Sequence, residues 1–109
     1  MSTVPDIDIS AAQWEIVRSI LQRHVPAHEV WAFGSRAKRT ARKYSDLDLC
    51  VVGDQPLGLA LRAILAEDFA ESDLPWKVDV VDWATTSEAF RMIIEGGKVV
   101  LQSKAGAPV

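Results

Sequence analysis

Apolar residues recur along the chain in blocks whose spacing switches between helical and strand-like. The first block, residues 10–24, carries Ile16, Ile20 and Leu21 at helical spacing and predicts a helix. Pro26 cannot continue that helix, so we expect it to end just before this residue.

Two capping-box patterns mark helix starts. Ser10 is followed three residues later by Gln13 at the start of the first helical block. Thr85 is followed by Glu88 in the same way, and this pair predicts a C-terminal helix over about residues 86–95.

Three apolar runs of strand length lie between these two helices. They cover residues 30–33, 46–52 and 76–83, with a helix predicted over 57–71 and a last short strand over 98–102. Strands separated by helices indicate an α/β or α+β domain. A chain of 109 residues is expected to form a single domain, residues 1–109, with its central strands over about 29–83.

Composition narrows the class of protein. The sequence has no apolar run near the roughly 20 residues that span a membrane, and no signal-peptide pattern, so a cytoplasmic location is expected. The net charge of −3 argues against stable nucleic-acid binding. Five basic residues nevertheless crowd into residues 36–43, which favours a small anionic ligand.

The candidate chemistry lies on either side of that basic cluster. Gly34-Ser35 is followed, after ten residues, by Asp46-Leu47-Asp48 at the start of a predicted strand. Because side chains alternate along a strand, Asp46 and Asp48 are expected on one face. Paired carboxylates repel each other unless a cation lies between them, and magnesium prefers such oxygen ligands.

A third carboxylate is predicted in the next strand. Asp79 has Val78 and Val80 on its opposite face and can point to the same side as the pair. Asp82 is the alternative, but its position three residues later predicts the opposite face and a capping role. A triad of Asp46, Asp48 and Asp79 is typical of a two-metal site.

The Gly34-Ser35 turn is a candidate phosphate site. Glycine allows a sharp turn and close approach of a phosphate, and amides at the start of a helix favour anions. Arg36 and Lys38 are expected to neutralise phosphate charge. Together with the acids, this turn predicts a site for a magnesium-bound nucleotide and hence nucleotidyl transfer. A second Asp-x-Asp, Asp6-Ile7-Asp8, has no such turn before it and is interpreted as surface and helix entry.

These segments resemble the minimal nucleotidyltransferase family of the DNA polymerase beta superfamily. The resemblance lies in three segments, residues 34–38, 45–49 and 78–82, and extends from about residue 30 to residue 90. It implies a small mixed sheet flanked by helices, two magnesium ions and ATP as substrate. Asp46, Asp48 and Asp79 would be metal ligands, and Gly34 and Ser35 would hold the triphosphate. The chain departs from the pattern at Arg39, where many relatives have glycine.

The resemblance also implies a partner. Small members of this family are commonly encoded beside a HEPN-domain protein, so a hetero-oligomer is expected. One hypothesis is an antitoxin that transfers AMP from ATP to a tyrosine of a HEPN toxin. Two alternatives stay open: the catalytic subunit of a two-subunit transferase with a small hydroxylated acceptor, or an antitoxin that acts by binding alone. The C-terminal helix, with Phe90, Met92, Ile93 and Ile94, is a candidate docking face.

Overall fold

The chain folds as a layered α/β structure, seen here in a computed structural model that describes residues 3–104. The elements in chain order are α1 Ala11–His24, β1 Glu29–Phe33, α2 Gly34–Ala37, β2 Leu47–Val52, α3 Leu59–Glu71, β3 Val78–Asp82, α4 Glu88–Gly97 and β4 Val99–Gln102. Across residues 3–104, no helix is both long and apolar enough to cross a membrane.

The four strands form one mixed sheet in the order β3-β2-β1-β4. β1 is antiparallel to both β2 and β4, whereas β2 and β3 are parallel. A parallel neighbour requires a crossover connection, and α3 lies in the chain between these two strands. The small mixed sheet flanked by helices is thus confirmed, and β3 and β4 are its edge strands.

Strand alternation divides the core into two layers. Leu47, Leu49 and Val51 of β2 are almost fully buried in the larger cluster, which also contains apolar residues of α1 and α3. Cys50 lies on the other face, in a smaller cluster with Ile94 of α4. One helix therefore packs on the face of the sheet that also carries the acidic side chains.

Helix α1 starts as the sequence predicts and is tied to α3 near its end. Ser10 accepts a hydrogen bond from the Gln13 amide, and the Gln13 side chain accepts one from the Ser10 amide, which confirms the capping box. At the other end, the His24 ring lies 2.5 Å from a carboxylate oxygen of Asp68. This contact lowers the pKa of Asp68.

The predicted start of α4 at Thr85 is wrong. Ser87 is the N-cap, and its hydroxyl accepts a hydrogen bond from the Phe90 amide. Thr85 instead belongs to a 3-10 turn, Trp83–Thr85, in which its hydroxyl donates to the Asp82 carbonyl. Because the Thr85 hydroxyl already binds the Asp82 carbonyl in this turn, the helix begins two residues later than the capping-box pattern predicted.

Helix α4 divides its apolar residues between the sheet and solvent. Ile94 is fully buried, whereas Met92 is 71% exposed and Ile93 64% exposed. Phe90 is partly exposed and its ring packs edge-on against Phe33 of β1. The candidate docking face predicted from sequence is therefore narrower than four residues, because Ile94 packs on the chain's own sheet.

Candidate active site

Two of the predicted acids are direct neighbours across the parallel strands. Asp48 of β2 and Asp79 of β3 occupy the same register position. Leu47 and Leu49 are fully buried on the opposite face, so Asp48 points to the face on which α4 packs. The two carboxylates converge because two separate strands are paired in this register.

The third acid lies immediately before β2. Asp46 is exposed, and the following Leu47 amide donates to the Lys77 carbonyl, which begins the pairing with β3. The pKa of the Asp48 carboxyl is raised, first by burial and then by the negative charges of Asp79 and Asp46. The charges of both other predicted acids therefore act on Asp48.

Asp82 has a different environment. It is 3% exposed, and its carboxylate accepts hydrogen bonds from the Leu57 and Ala84 amides. Its carbonyl accepts from the hydroxyls of Thr85 and Thr86. Asp82 thus fixes the end of β3, in the capping role that the alternation argument predicted for it.

Gly34 lies against the acids. Its φ of +77° is in the left-handed region, which favours glycine. A Cβ atom built at this position would also collide with the Asp48 carboxylate. Both the backbone conformation and the approach to Asp48 therefore require glycine here. Ser35 follows in the short helix α2, with its carbonyl accepting from the Thr40 amide.

Arg36 is buried and its guanidinium faces backbone carbonyls, although the charge of Asp46 also acts on it. The side chain is 5% exposed, and its guanidinium donates to the carbonyls of Ser45, Asp8 and Lys43. It also stacks on Trp76, with 4.3 Å between the guanidinium carbon and the ring centroid. The hydrogen bonds of the guanidinium thus go to backbone carbonyls, and they tie together the segments beneath the loop.

Lys38 does lie beside the acids. It lines a pocket of about 500 Å³ together with Gly34, Asp48 and Asp79. Phe33, Phe90 and Ile93 form apolar walls of the same pocket. The ammonium group is exposed and no ion pair engages it among the described residues.

A larger pocket of about 820 Å³ opens on the other side of the acids. Asp46 and Asp79 lie on it, and α3 and the segment before β3 form its walls. Asp79 belongs to both pockets. The carboxylates therefore stand between two cavities of different character.

The acids fit a hard divalent cation by their chemistry. Within residues 3–104, no group of three acidic, histidine or cysteine side chains is drawn into ligand geometry. Like charges without a cation repel, and the negative charges of Asp79 and Asp46 add to burial in raising the pKa of Asp48. Three carboxylates supply the oxygen donors that magnesium prefers, so the donor set fits this ion.

Arg39, the departure from the family pattern, contacts the N-terminal segment, and the sequence did not predict this contact. Arg39 has a φ of +63°, and it is the one non-glycine residue with positive φ among the described residues. Its guanidinium donates to the Ile7 carbonyl and lies 3.3 Å from carboxylate oxygens of Asp6 and Asp8. Asp6 is exposed and the segment leads into α1, as predicted, but Ile7 is 1% exposed and belongs to the core. This segment braces the loop after Gly34.

Comparison with known proteins gives close matches. The family model described as polymerase beta, nucleotidyltransferase, matches residues 15–105. The chain is 53% identical over 104 residues to a Haemophilus influenzae protein named "Probable protein adenylyltransferase MntA". That alignment covers 95% of this chain and 91% of the relative.

Solved structures share the fold. A toxin-antitoxin complex with AMP-PNP matches with a TM-score of 0.69 at 25% identity, covering 80% of this chain and 70% of that one. The complex of a tri-AMPylated Shewanella oneidensis HEPN toxin with its MNT antitoxin matches with a TM-score of 0.62 at 23% identity, covering 80% and 66%.

Proposed function

This chain belongs to the polymerase beta nucleotidyltransferase family, and on that premise we propose that it is a magnesium-dependent protein adenylyltransferase. The substrate is ATP, and AMP is transferred to a tyrosine of a HEPN-domain toxin for which this chain is the antitoxin. The observation that most supports this is the pairing of Asp48 with Asp79 directly beside Gly34. The 53% identity to a relative named as a protein adenylyltransferase supports a protein acceptor.

The nucleotide is proposed to bind in the 500 Å³ pocket. Gly34 lines this pocket beside Asp48 and Asp79, and Ser35 follows it at the start of α2. Among residues 3–104, Lys38 supplies the one positive side chain on this pocket. Its charge would offset phosphate charge in the way that Arg36, which is buried, does not.

The three acids are proposed to hold two magnesium ions. Magnesium bound to Asp46, Asp48 and Asp79 would supply positive charge that neutralises the carboxylates and the phosphates. Asp48, whose neighbours are the other two acids, would be one of the ligands.

The transfer itself is a displacement at phosphorus. The acceptor hydroxyl oxygen bonds to the α-phosphorus of ATP, and the bond from that phosphorus to the pyrophosphate oxygen breaks. The hydroxyl proton passes to a carboxylate or to water. Asp79 is exposed and borders both pockets, so it is the carboxylate best situated to receive this proton.

The partner is proposed to be a HEPN-domain protein encoded nearby. A toxin-antitoxin complex with a bound ATP analogue shares this fold at 25% identity. The exposed side chains of Met92 and Ile93 on α4 supply an apolar surface for contact with it. Enzyme and toxin would then form a hetero-oligomer.

The proposal is tested by mixing the chain with its HEPN-domain neighbour, ATP and magnesium and measuring the intact mass of both proteins. We expect one or more AMP units on the partner, located on tyrosine by peptide fragmentation. The Asp46→Asn/Asp48→Asn protein is expected to add none. Asp54→Asn/Asp73→Asn is the matched control, because it removes two negative charges at exposed positions outside the site.

Other outcomes would point elsewhere. Transfer that persists in Asp46→Asn/Asp48→Asn would refute the assignment of the acids. A stable complex that neutralises the toxin without any mass change would indicate an antitoxin that acts by binding. Transfer to an added small hydroxylated compound, with none to the protein partner, would indicate a two-subunit transferase.

A further inference from the structure

We propose that the 820 Å³ pocket beside β3 is the acceptor site and receives an aromatic hydroxyl side chain, the tyrosine of the partner protein. This inference rests on the function proposed above and adds where the second substrate binds. It follows from the position of the pocket relative to the acids, from the chemistry of its walls and from its opening at a sheet edge.

The acids separate this pocket from the proposed nucleotide pocket. Asp79 borders both cavities, Asp48 lies only on the smaller one, and Asp46 only on the larger. Gly34 and Lys38, which suit phosphate, also lie only on the smaller one. In an in-line displacement the attacking oxygen and the leaving pyrophosphate lie on opposite sides of the phosphorus. An acceptor in the larger pocket would reach the acids from the side away from Gly34.

The walls of the larger pocket suit an aromatic ring. Phe69, Leu74 and Trp76 provide apolar and aromatic surface, and the carboxylates of Asp46 and Asp79 lie at one end. A tyrosine has the same division, with an apolar ring and a polar hydroxyl at its tip. The pocket also carries Tyr44 and Lys77, but a sugar-like acceptor, with hydroxyl groups all round, would find no polar partners on the side formed by the Phe69, Leu74 and Trp76 side chains.

One wall is held rigidly from behind. Trp76 is 7% exposed and stacks beneath the Arg36 guanidinium at 4.3 Å. Arg36 in turn donates to the carbonyls of Ser45 and Asp8. Arg36 therefore contacts both the wall of the proposed acceptor pocket and the loop after Gly34, and it stabilises both sides of the site.

The opening suits a macromolecular acceptor. β3 is an edge strand of the sheet, and the pocket lies between this strand and α3. A side chain carried on the surface of another protein can approach such an edge without passing through the enzyme. The site therefore does not require the acceptor to be a free small molecule.

Two exposed alanines allow the pocket to be filled without disturbing the core. Ala66 and Ala70 line it from one face of α3, and both side chains are exposed. Ala70→Phe is expected to lower the rate of AMP transfer to the partner by about tenfold or more, since a blocked acceptor cannot align with the phosphorus. Binding of a fluorescent ATP analogue should be unchanged. Ala66→Phe should behave in the same way.

Ala60→Phe is the matched control. It adds the same ring at another exposed position of α3, about 15 Å along the helix axis from Ala70. Its transfer rate, ATP binding and thermal midpoint should equal those of the unmodified protein.

The outcomes separate this inference from the proposed function. Absence of transfer by the unmodified protein would overturn the proposed function and this inference with it. The acceptor site alone would be overturned if Ala66→Phe and Ala70→Phe both transferred AMP at the rate of the protein without substitutions. Loss of ATP-analogue binding in Ala70→Phe would also overturn it, because the larger pocket would then hold the nucleotide.

Discussion

At the scale of single residues, Arg39 shows how a departure from a family pattern is accommodated. Left-handed backbone costs a non-glycine residue roughly 1 kcal/mol, which explains why many relatives have glycine here. In this chain the Arg39 guanidinium contacts Asp6, Ile7 and Asp8. Those contacts offset the cost and brace the loop that follows Gly34.

Substitutions at Arg39 should separate strain from contact. Arg39→Ala loses the contacts and keeps the strain, so we expect it to lower the free energy of unfolding by about 1–2 kcal/mol. Arg39→Gly loses the same contacts but relieves the strain, and should be about 1 kcal/mol more stable than Arg39→Ala. Urea unfolding measures both.

The control pair is at Arg42, an exposed residue without positive φ. There the order should reverse, with Arg42→Gly less stable than Arg42→Ala, because glycine only adds freedom to the unfolded chain. The same order at both positions would contradict the strain at Arg39.

Asp48 gives a second prediction, in the stability of the cation-free protein. Its raised pKa means that the folded state binds the proton more tightly than the unfolded state. The ionised group therefore destabilises the fold at pH above the raised pKa, and this penalty disappears below the ordinary value of 3.8. Because it removes this partly buried charge, Asp48→Asn should raise the thermal midpoint near neutral pH. We expect a rise of about 2–4 °C, which is modest because solvent screens part of the interaction.

Thermal melts between pH 7 and pH 3 in chelator measure this difference. The advantage of Asp48→Asn should shrink as the pH falls, while added magnesium should stabilise the unmodified protein more than the variant. Asp54→Asn, an exposed charge change, should show neither trend. An advantage that grows on acidification would contradict the sign of the pKa shift.

At the scale of elements, α4 packs on the sheet and also exposes apolar side chains to solvent. Its sequence could not show which residues do which. Periodicity predicted one apolar helix, but it could not tell which side chains would pack on the sheet. The structure buries Ile94 and leaves Met92 exposed. The start of the helix was misjudged for a related reason: local spacing at Thr85 matched a cap, but the Asp82 carbonyl already binds its hydroxyl.

This division predicts that substitutions at two positions of α4 change the free energy of unfolding by very different amounts. Ile94→Ala should lower the free energy of unfolding by about 2–4 kcal/mol, because it opens a cavity under α4. Met92→Ala should change stability by less than about 0.5 kcal/mol. Urea unfolding gives the first quantity, and titration with the proposed HEPN partner should show weakened binding for Met92→Ala. Equal losses of stability in both variants would contradict the packing of α4.

At the scale of the whole molecule, the sequence predicted the sheet but not its order. Alternating and helical patterns are local, and they identified the strands, the helices and the fold class. Strand order and register depend on pairing between distant segments, so the adjacency of Asp48 and Asp79 could be stated only as a shared face. The environment of Arg36 could not be predicted either, because its residue type suggests an anionic ligand, whereas backbone carbonyls surround it in the fold.

The contact between Gly34 and Asp48 has a genetic consequence. Any side chain at position 34 would collide with the carboxylate of Asp48, and the backbone there also favours glycine. If Asp48 acts as proposed, loss-of-function mutations at codons 34 and 48 should give the same phenotype. A second-site change that shortens Asp48 to make room would itself remove the carboxylate. Revertants of a codon-34 allele should therefore restore glycine at that codon, and a screen for suppressors at codon 48 should yield none.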